Sequence, residues 1–364
     1  MIRPLLFSSL ALFALGACAV DTSLPDLSTQ MGSGPTDAGY CTTDELLTFP
    51  PETLQMHVID VGQGDAIWIR TPYFDNADLE SRDVLIDVGP SGANDSSPGG
   101  QVVVDYMTQM GRALDDPIDA VVISHAHSDH YGGLPTLAEA FFIQEYYAPS
   151  YVPGGSALWQ SEADARQATE SQWGASLTSA SGETLAESLF QPTKLFGNYV
   201  DAQLLWTANN LSALPASSNE NDTSTVLSIR WSDRRILLMG DAEEHVESEL
   251  IRAAQAGEIA LNAKVLKVGH HGSSTSSTDA FLDAVFSQAD AESWAIISSG
   301  RKSFAGEQLP TMRTITALEQ RLEPYRILST ENRDDGRFEG EEHGDDHIVV
   351  TIGPNGEVRA CYAP

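Results

Sequence analysis

Four short β-type runs in this chain each end at residues that can bind a metal ion. The runs and their endings are residues 84–86 before Asp87, 121–123 before SHAHSDH (124–130), 236–239 before Gly-Asp (240–241), and 265–268 before Gly-His-His-Gly (269–272). Strand ends on one side of a layered sheet lie close together, so ligands that are distant in sequence can converge there. The pattern predicts a layered sheet with a metal site at one edge.

Strand and helix patterns alternate from residue 56 onward. Strands are predicted at residues 56–60, 66–70, 84–87, 120–123, 226–231, 236–239, 265–268, 294–298, 326–328 and 348–352. Helices are predicted at 242–254, 278–286 and 311–322, and Pro135 indicates another helix start just after SHAHSDH. Residues 145–220 lack a clear pattern and are interpreted as an elaborated connection. The mixture indicates an α/β architecture in which helices cover sheets.

The spacing inside SHAHSDH indicates a pair of ions. His125 and His127 are two residues apart, and such residues on an extended segment point the same way, so both can bind one ion. The chain then turns, so that Asp129 and His130 can reach a second ion. Two ions about 3.5–4 Å apart can activate a water between them, which predicts hydrolysis.

Two further residues complete this predicted centre. Two neighbouring cations repel each other, and a bridging carboxylate reduces that repulsion; Asp241 is the best candidate for this role. His270 is expected to complete the second site.

The motifs together resemble the metallo-β-lactamase superfamily. The segments that carry a more specific resemblance, to the C-terminal hydrolase domain of ComEC-type DNA-uptake proteins, are HVIDVGQGDA (57–66), VLIDVGP (84–90), NDTSTVL (221–227) and LKVGHHGS (266–273). The resemblance covers residues 53–353. It implies an αββα sandwich of two mixed β-sheets flanked by helices, with the site at one edge and two divalent metal ions, zinc or manganese.

The resemblance also implies the ligands. Those of the first ion are His125, His127 and Asp241, with Asn221 where many members carry another His; those of the second are Asp129, His130, Asp241 and His270. An amide oxygen is a weaker zinc ligand than imidazole and suits manganese better. Metal identity and occupancy therefore stay open.

Catalytic roles are expected for Asp129, Asp241 and His271. His271 is also the alternative to His270 as a metal ligand, and otherwise would donate to a substrate oxygen.

Residues around the ligands have less specific roles. Asp87 matches a superfamily Asp that braces the His loop by hydrogen bonding. Gln63 and Asp65 either border the pocket or form a structural turn. Relatives often have a Gly-His-Pro-like stretch after the strand at 294–298, and this chain has no His there. Either a substrate contact is missing, or Arg301 and Lys302 replace it as phosphate-binding cations.

The first residues, MIRPLLFSSLALFALGAC, are typical of a secretory signal and too short for a membrane span. Residues 15–18, Leu-Gly-Ala-Cys, resemble a bacterial lipobox, which implies a signal peptide at 1–17 and a lipid on Cys18. Residues 18–40 are predicted to be a flexible tether and 41–364 the hydrolase domain. We expect an exported protein, lipid-anchored on the periplasmic or cell-surface side; Ala19 favours the outer membrane. An ordinary signal peptide with an incidental Cys is the alternative.

The two cysteines that follow Cys18 are a candidate disulfide pair. Cys41 and Cys361 flank the domain, and whether they are bridged stays open.

The chain has 20 Lys and Arg against 52 Asp and Glu, a net charge of −32. This excess disfavours long nucleic acid without excluding it, because affinity for polyanions comes mostly from cationic side chains. Oligomeric state stays open.

These features predict an exported, lipid-anchored, metal-dependent hydrolase. The favoured activity is a phosphodiesterase, nucleases included, that uses a metal-bridging hydroxide. The alternatives are a carboxylic ester, lactone or β-lactam hydrolase, and a catalytically silent binding lipoprotein on the same fold.

Overall fold

The protein is described from a computed structural model. The described residues are 39–72, 81–91, 99–148, 164–165, 167, 195–197, 199–207, 214, 218–300, 303–304, 306–331 and 346–363. The predicted signal peptide, the predicted lipidation site Cys18 and almost all of the predicted tether lie outside these residues, as do Arg301 and Lys302. Among the described residues, no helix combines the length and apolar character that a bilayer crossing requires.

The strands follow one another along the whole described chain. They are β1 (Leu54–Val58), β2 (Ala66–Arg70), β3 (Asp83–Val88), β4 (Ile118–Val122), β5 (Ile143–Tyr147), β6 (Asp201–Trp206), β7 (Val226–Trp231), β8 (Arg234–Leu238), β9 (Val265–Lys267), β10 (Trp294–Ile297), β11 (Ser303–Phe304), β12 (Glu307–Gln308), β13 (Ile327–Ser329), β14 (His347–Ile352) and β15 (Val358–Ala363).

The helices are shorter and lie between the strands. They are α1 (Thr43–Leu47), α2 (Gly99–Gln109), α3 (Ser128–Tyr131), α4 (Leu134–Ala140), α5 (Glu244–Gln255), α6 (Asp279–Val285) and α7 (Met312–Glu319). Thr278 and Thr311 cap α6 and α7 because each hydroxyl accepts a hydrogen bond from the backbone N–H three residues on. Pro135 lies in the first turn of α4, as predicted.

Two mixed sheets form the centre of the molecule. The first has the order β15-β14-β1-β2-β3-β4-β5 and the second β13-β10-β9-β8-β7-β6, while β11 and β12 form a separate hairpin. Strands β3, β4 and β5 are parallel, and so are β8, β9, β10 and β13. The other neighbouring strands pair antiparallel, for example β1 with β14.

Alternating side chains create three apolar layers. Leu54, Met56 and Val58 of β1 pack with Leu227 and Ile229 of β7 between the sheets. The outer face of the first sheet is covered by α2 and α4, and that of the second sheet by α5, α6 and α7. Burying each such side chain contributes roughly 1.5–3 kcal/mol. The predicted αββα sandwich is confirmed.

The strands that the sequence patterns missed are mostly edge strands. β5 and β6 form one edge of each sheet, and each exposes part of its length. Their sequences, IQEYY and DAQLLW, therefore mix polar and apolar residues without a clear period. The interpretation of 145–220 as connection alone was wrong at β6 and at the end of β5.

The open question about the cysteines is settled by a disulfide between Cys41 and Cys361, whose Cα atoms are 5.7 Å apart. It joins Cys41, two residues before α1, to the edge strand β15, where Tyr40 also pairs with Tyr362.

Candidate metal centre

The candidate site lies where β3, β4, β8 and β9 end. Because β3 is parallel to β4 and β8 is parallel to β9, their carboxyl ends lie at the same edge of each sheet. Asp87 stands at the end of β3, His125 and His127 follow β4, and Asp241 follows β8. The convergence predicted from the strand ends is therefore observed.

One cluster consists of His125, His127 and Asp241, whose candidate ligand atoms all lie within 4.8 Å of one another. His125 Nε2 is 2.9 Å from His127 Nδ1 and 3.7 Å from Asp241 Oδ2. Burial holds the pKa of both imidazoles below the usual range, most strongly for His125. Both rings are therefore kept neutral, which is the form that binds cations.

A second cluster consists of Asp129, His130 and His271. His271 Nε2 is 3.6 Å from Asp129 Oδ2 and 3.5 Å from Asp241 Oδ1, and His130 Nε2 is 3.3 Å from Asp241 Oδ2. The Asp241 carboxylate thus faces both clusters, as its expected bridging role requires.

The two histidines after β9 lie differently from expectation. His270 was assigned to the second ion, but His271 is the one grouped with Asp129 and His130. Both residues are in the left-handed region, at φ 48° and 52°, where a non-glycine residue costs about 1–3 kcal/mol. Their rings point apart, with centroids 6.2 Å from each other. This geometry favours the alternative already raised for His271.

Hydrogen bonding explains how the two rings are used. His271 Nδ1 lies 3.0 Å from the carbonyl of Ser298, so Nδ1–H donates there and leaves Nε2 directed at the second cluster. His270 instead has Nδ1 3.1 Å from Glu243 Oε1, and its Nε2 is 3.9 Å from Asp241 Oδ2.

Asn221 lies beside His270, in a 3₁₀ turn (Glu220–Thr223) that precedes β7. Its Nδ2 donates to Glu243 Oε1 at 2.9 Å and is 3.5 Å from His270 Nδ1. Its Oδ1 is buried and accepts no hydrogen bond. The amide expected in the ligand set therefore lies beside His270 and Glu243.

Unpaired buried atoms test whether these residues fit metal ions. Four buried atoms in the site lack a partner in hydrogen-bond geometry: His130 Nε2, Asn221 Oδ1, Asp241 Oδ1 and His271 Nε2. The two imidazole nitrogens lie only 3.3–3.5 Å from the Asp241 carboxylate. Buried polar atoms normally have partners, and each unsatisfied one costs about 1–3 kcal/mol. Imidazole nitrogens and carboxylate or amide oxygens are metal-ligand atoms. The residues therefore fit divalent cations.

The pKa values of His271 and Asp241 also indicate that the second cluster favours positive charge. Burial would lower the pKa of His271, but Asp241 and Asp65 raise it to about 10. Burial would raise the pKa of Asp241, but His271 and His130 hold it well below the usual range. The second cluster therefore favours positive charge, which bound cations would supply.

Asp87 has the bracing role that the resemblance implies. Its Oδ2 is 2.8 Å from His130 Nδ1, and its Oδ1 accepts a hydrogen bond from the Ser124 backbone at 2.7 Å. Because Nδ1 is engaged by Asp87, Nε2 of His130 is left to face Asp241.

Asp65 contacts the second cluster through His271. Its Oδ1 is 3.5 Å from His271 Nδ1, and its Oδ2 accepts a hydrogen bond from Lys267 Nζ at 3.0 Å. The turn before it is also structural, because a Cβ on Gly64 would lie 2.3 Å from the Asp129 carbonyl oxygen. Lys267 was missed by the sequence analysis. A lysine inside the apolar run VLKV was the available signal.

A sandwich of this topology with a His/Asp cluster at one edge defines a class of metal-dependent hydrolases. The family model described as "Metallo-beta-lactamase superfamily" matches residues 60–292, and the chain belongs to that superfamily.

Curated relatives support the more specific resemblance. The chain is 26% identical over 279 residues to ComE operon protein 3 of Bacillus subtilis (strain 168). The aligned region covers 73% of the chain and 31% of that protein. It is also 26% identical over 254 residues to competence protein ComA of Neisseria gonorrhoeae, covering 69% and 28%. The chain therefore spans less than a third of the length of these relatives. The predicted ComEC-type resemblance is confirmed.

Among solved structures, Zn²⁺-bound PqqB from Methylobacterium extorquens is similar, with a TM-score of 0.39 and 13% identity over 76% of this chain and 97% of that one.

Proposed function

We propose that this metal-dependent hydrolase cleaves phosphodiesters and is exported and lipid-anchored. The observation that carries the proposal is the Asp241 carboxylate, which has Oδ2 3.7 Å from His125 Nε2 and Oδ1 3.5 Å from His271 Nε2. One carboxylate shared by two ligand clusters is the arrangement that a two-metal hydrolase needs.

The chemistry is divided between the ions and the chain. Two bound divalent cations would polarise a phosphoryl oxygen and activate water. Asp241 would hold the two sites together. The Asp129 side chain is 24% exposed, whereas that of His271 is 2% exposed. Asp129 is therefore the group through which a proton can leave toward solvent, and His271 orients the second site from within.

Two observations support the substrate class. The motifs and the curated relatives resemble ComEC-type hydrolase domains, which favours phosphorus over a carbonyl centre. The net charge of −32 favours a small or short phosphodiester over long nucleic acid.

Activity is tested by elemental analysis together with hydrolysis of bis(p-nitrophenyl) phosphate in added Mn²⁺ or Zn²⁺. We expect about two ions per chain and turnover that is lost in His127→Ala and in Asp241→Asn. His245→Ala is the matched control, because His245 lies on α5 and its ring packs edge-on against Trp206, outside the clusters.

Other results of this experiment would identify the alternative functions. Bound metal with turnover only on carboxylic esters, lactones or β-lactams would identify the other hydrolase class. Bound metal without turnover on any of these substrates would identify a silent binding protein. A panel of single-stranded DNA, RNA, cyclic dinucleotides and phospholipid head groups then narrows the natural phosphodiester.

Export and anchoring rest on the signal-like residues 1–18 and on the disulfide. Disulfides persist mainly in oxidising compartments outside the cytosol, so the Cys41–Cys361 bridge supports export. Labelling of a bacterial host with a radioactive fatty acid tests the anchor. The wild-type chain should be labelled and membrane-associated, and Cys18→Ala should be neither. An unlabelled wild-type chain would contradict the lipid anchor, and fractionation of the two membranes tests the outer-membrane assignment.

A further inference from the structure

Glu243 connects Asn221 with His270, whose Nε2 lies 3.9 Å from Asp241 of the first cluster. It follows β8 and immediately precedes α5, and its side chain is 15% exposed. Its Oε1 accepts hydrogen bonds from Asn221 Nδ2 at 2.9 Å and from Thr275 Oγ1 at 2.9 Å, and lies 3.1 Å from His270 Nδ1. Its Oε2 accepts a hydrogen bond from Asn219 Nδ2 at 3.0 Å.

These contacts determine how the Asn221 amide is oriented. An ionised carboxylate has only acceptors, so the amide must present its NH₂ group to Glu243. The amide oxygen is then directed away from Glu243, and it is the buried Oδ1 that accepts no hydrogen bond. A buried oxygen without a partner is unfavourable, and a bound cation would supply that partner.

The same carboxylate determines the tautomer of His270. Because Glu243 can only accept, Nδ1 of His270 must carry the proton in that contact, and Nε2 keeps its lone pair. Nε2 is the atom 3.9 Å from Asp241 Oδ2, which is itself 3.7 Å from His125 Nε2. His270 therefore presents a free nitrogen toward the bridging carboxylate.

The packing of Glu243 is consistent with a role beyond helix capping. Its side chain makes no capping hydrogen bond to α5. Its contacts instead reach the turn before β7 and the turn after β9, which carry Asn221 and His270. Outer partners of this kind orient metal ligands and typically affect metal affinity 10–100-fold.

We propose that Glu243 is a positioning residue of the first cation site, where it directs Asn221 Oδ1 and His270 Nε2 to the ion as additional ligands. The ligand set of that ion is then His125, His127, Asn221, Asp241 and His270. The inference rests on the proposed metal centre. An amide oxygen at position 221 makes the set harder than an imidazole there would, which favours manganese.

The test compares metal binding by the full chain, stripped with a chelator, in Glu243→Ala, Glu243→Gln and Glu244→Ala. Glu244 is the matched control, because it is the exposed neighbour at the first position of α5. Calorimetric titration with Mn²⁺ and Zn²⁺ gives the affinities, and Co²⁺ absorption reports the ligand field of each ion.

We expect Glu243→Ala to weaken one of the two ions by about 10–100-fold and to change the Co²⁺ spectrum of that ion only. Glu243→Gln keeps one acceptor oxygen and should recover part of both effects, which also covers the case in which Glu243→Ala fails to fold. Glu244→Ala should match the wild type.

Three results would overturn the inference in distinguishable ways. If the wild type binds two ions and the Glu243 variants bind both with unchanged affinity and spectrum, the positioning role is wrong and the proposed function stands. Equal weakening of both ions together with a lower melting temperature would indicate only a structural role. A wild-type chain that binds no ion would contradict the proposed function itself.

Discussion

At the scale of single residues, the buried pair of Lys267 and Asp65 supports the second cluster. Lys267 is fully buried in β9, and its Nζ donates to Asp65 Oδ2 at 3.0 Å and to the Val268 carbonyl at 3.1 Å. Burial would raise the pKa of Asp65, but Lys267 and His271 lower it well below the usual range. Asp65 is therefore ionised next to His271, and the buried Lys267 stabilises its negative charge.

Lys267→Met should lower the free energy of unfolding by about 3–5 kcal/mol, because it leaves the buried Asp65 carboxylate without its lysine partner. Urea unfolding in the presence of a chelator measures the effect without any metal contribution. The matched control is Lys264→Met, which removes an ion pair with the exposed Asp290 and should cost under about 1 kcal/mol. An equal loss of unfolding free energy in the two variants would show that the buried pair contributes no more than the surface pair.

The adjacent histidines should differ in metal binding. His271→Ala removes a nitrogen grouped with Asp129 and His130, and should weaken one ion by more than the roughly 100-fold upper range for loss of an outer partner. His270→Ala should affect the other ion. Calorimetry with Zn²⁺ and Mn²⁺ distinguishes the two ions. If both variants weaken the same ion, the assignment of the two rings to separate sites is wrong.

At the scale of secondary-structure elements, Glu247 joins α5 to the start of α6. Its carboxylate accepts hydrogen bonds from the Ser277 and Thr278 backbones and from the Thr278 hydroxyl. Thr278 also caps α6. Burial raises the pKa of Glu247 to about 7 even though these donors oppose the shift.

This raised pKa predicts a pH-dependent stability. The folded chain holds the Glu247 proton up to about pH 7, whereas the usual pKa is 4.5. Between these values the folded state binds more protons than the unfolded state, so this contribution to stability is lost as pH rises from 4.5 to 7.

Glu247→Gln should remove that loss, which amounts to about 3 kcal/mol for a shift of this size. Guanidinium unfolding of the wild type and the variant at about pH 4.5 and 7.5 measures the difference in slope. Glu249→Gln, on the same helix and paired with Arg252 at the surface, is the control and should keep the wild-type slope. Parallel pH curves for Glu247→Gln and the wild type would contradict the prediction.

At the scale of the whole molecule, the disulfide links two positions separated by 320 residues. It ties the beginning of the described chain to β15, the edge strand of the first sheet. A cross-link that closes so long a loop restricts the unfolded chain strongly in the chain-entropy model.

Cys361→Ser should therefore lower the free energy of unfolding by up to about 5 kcal/mol. Guanidinium unfolding measures the change, and a reductant should lower the stability of the wild type similarly without affecting the variant. Unchanged wild-type stability in the reductant would show that the bridge does not contribute.

The amino-acid sequence by itself determined the local parts of this protein. The short apolar-rich runs at 66–70 and 226–231 predicted β2 and β7 to the residue, because such runs are typical of strands buried on both faces. The spacing of His125 and His127 predicted that both rings face the same side, and their nearest nitrogens lie 2.9 Å apart, because side-chain direction over two residues depends on the local backbone alone. The fold class followed from the same local patterns together with the family motifs.

Only the tertiary structure decided which distant groups meet. His270 and His271 share one sequence context, and the left-handed turn after β9 sends their rings to different neighbours. Lys267 meets Asp65 across 202 positions, and Glu243 meets Asn221 across a packed turn. Such contacts depend on how the two sheets pack and where their strands end, and neither period nor spacing along the chain contains that information.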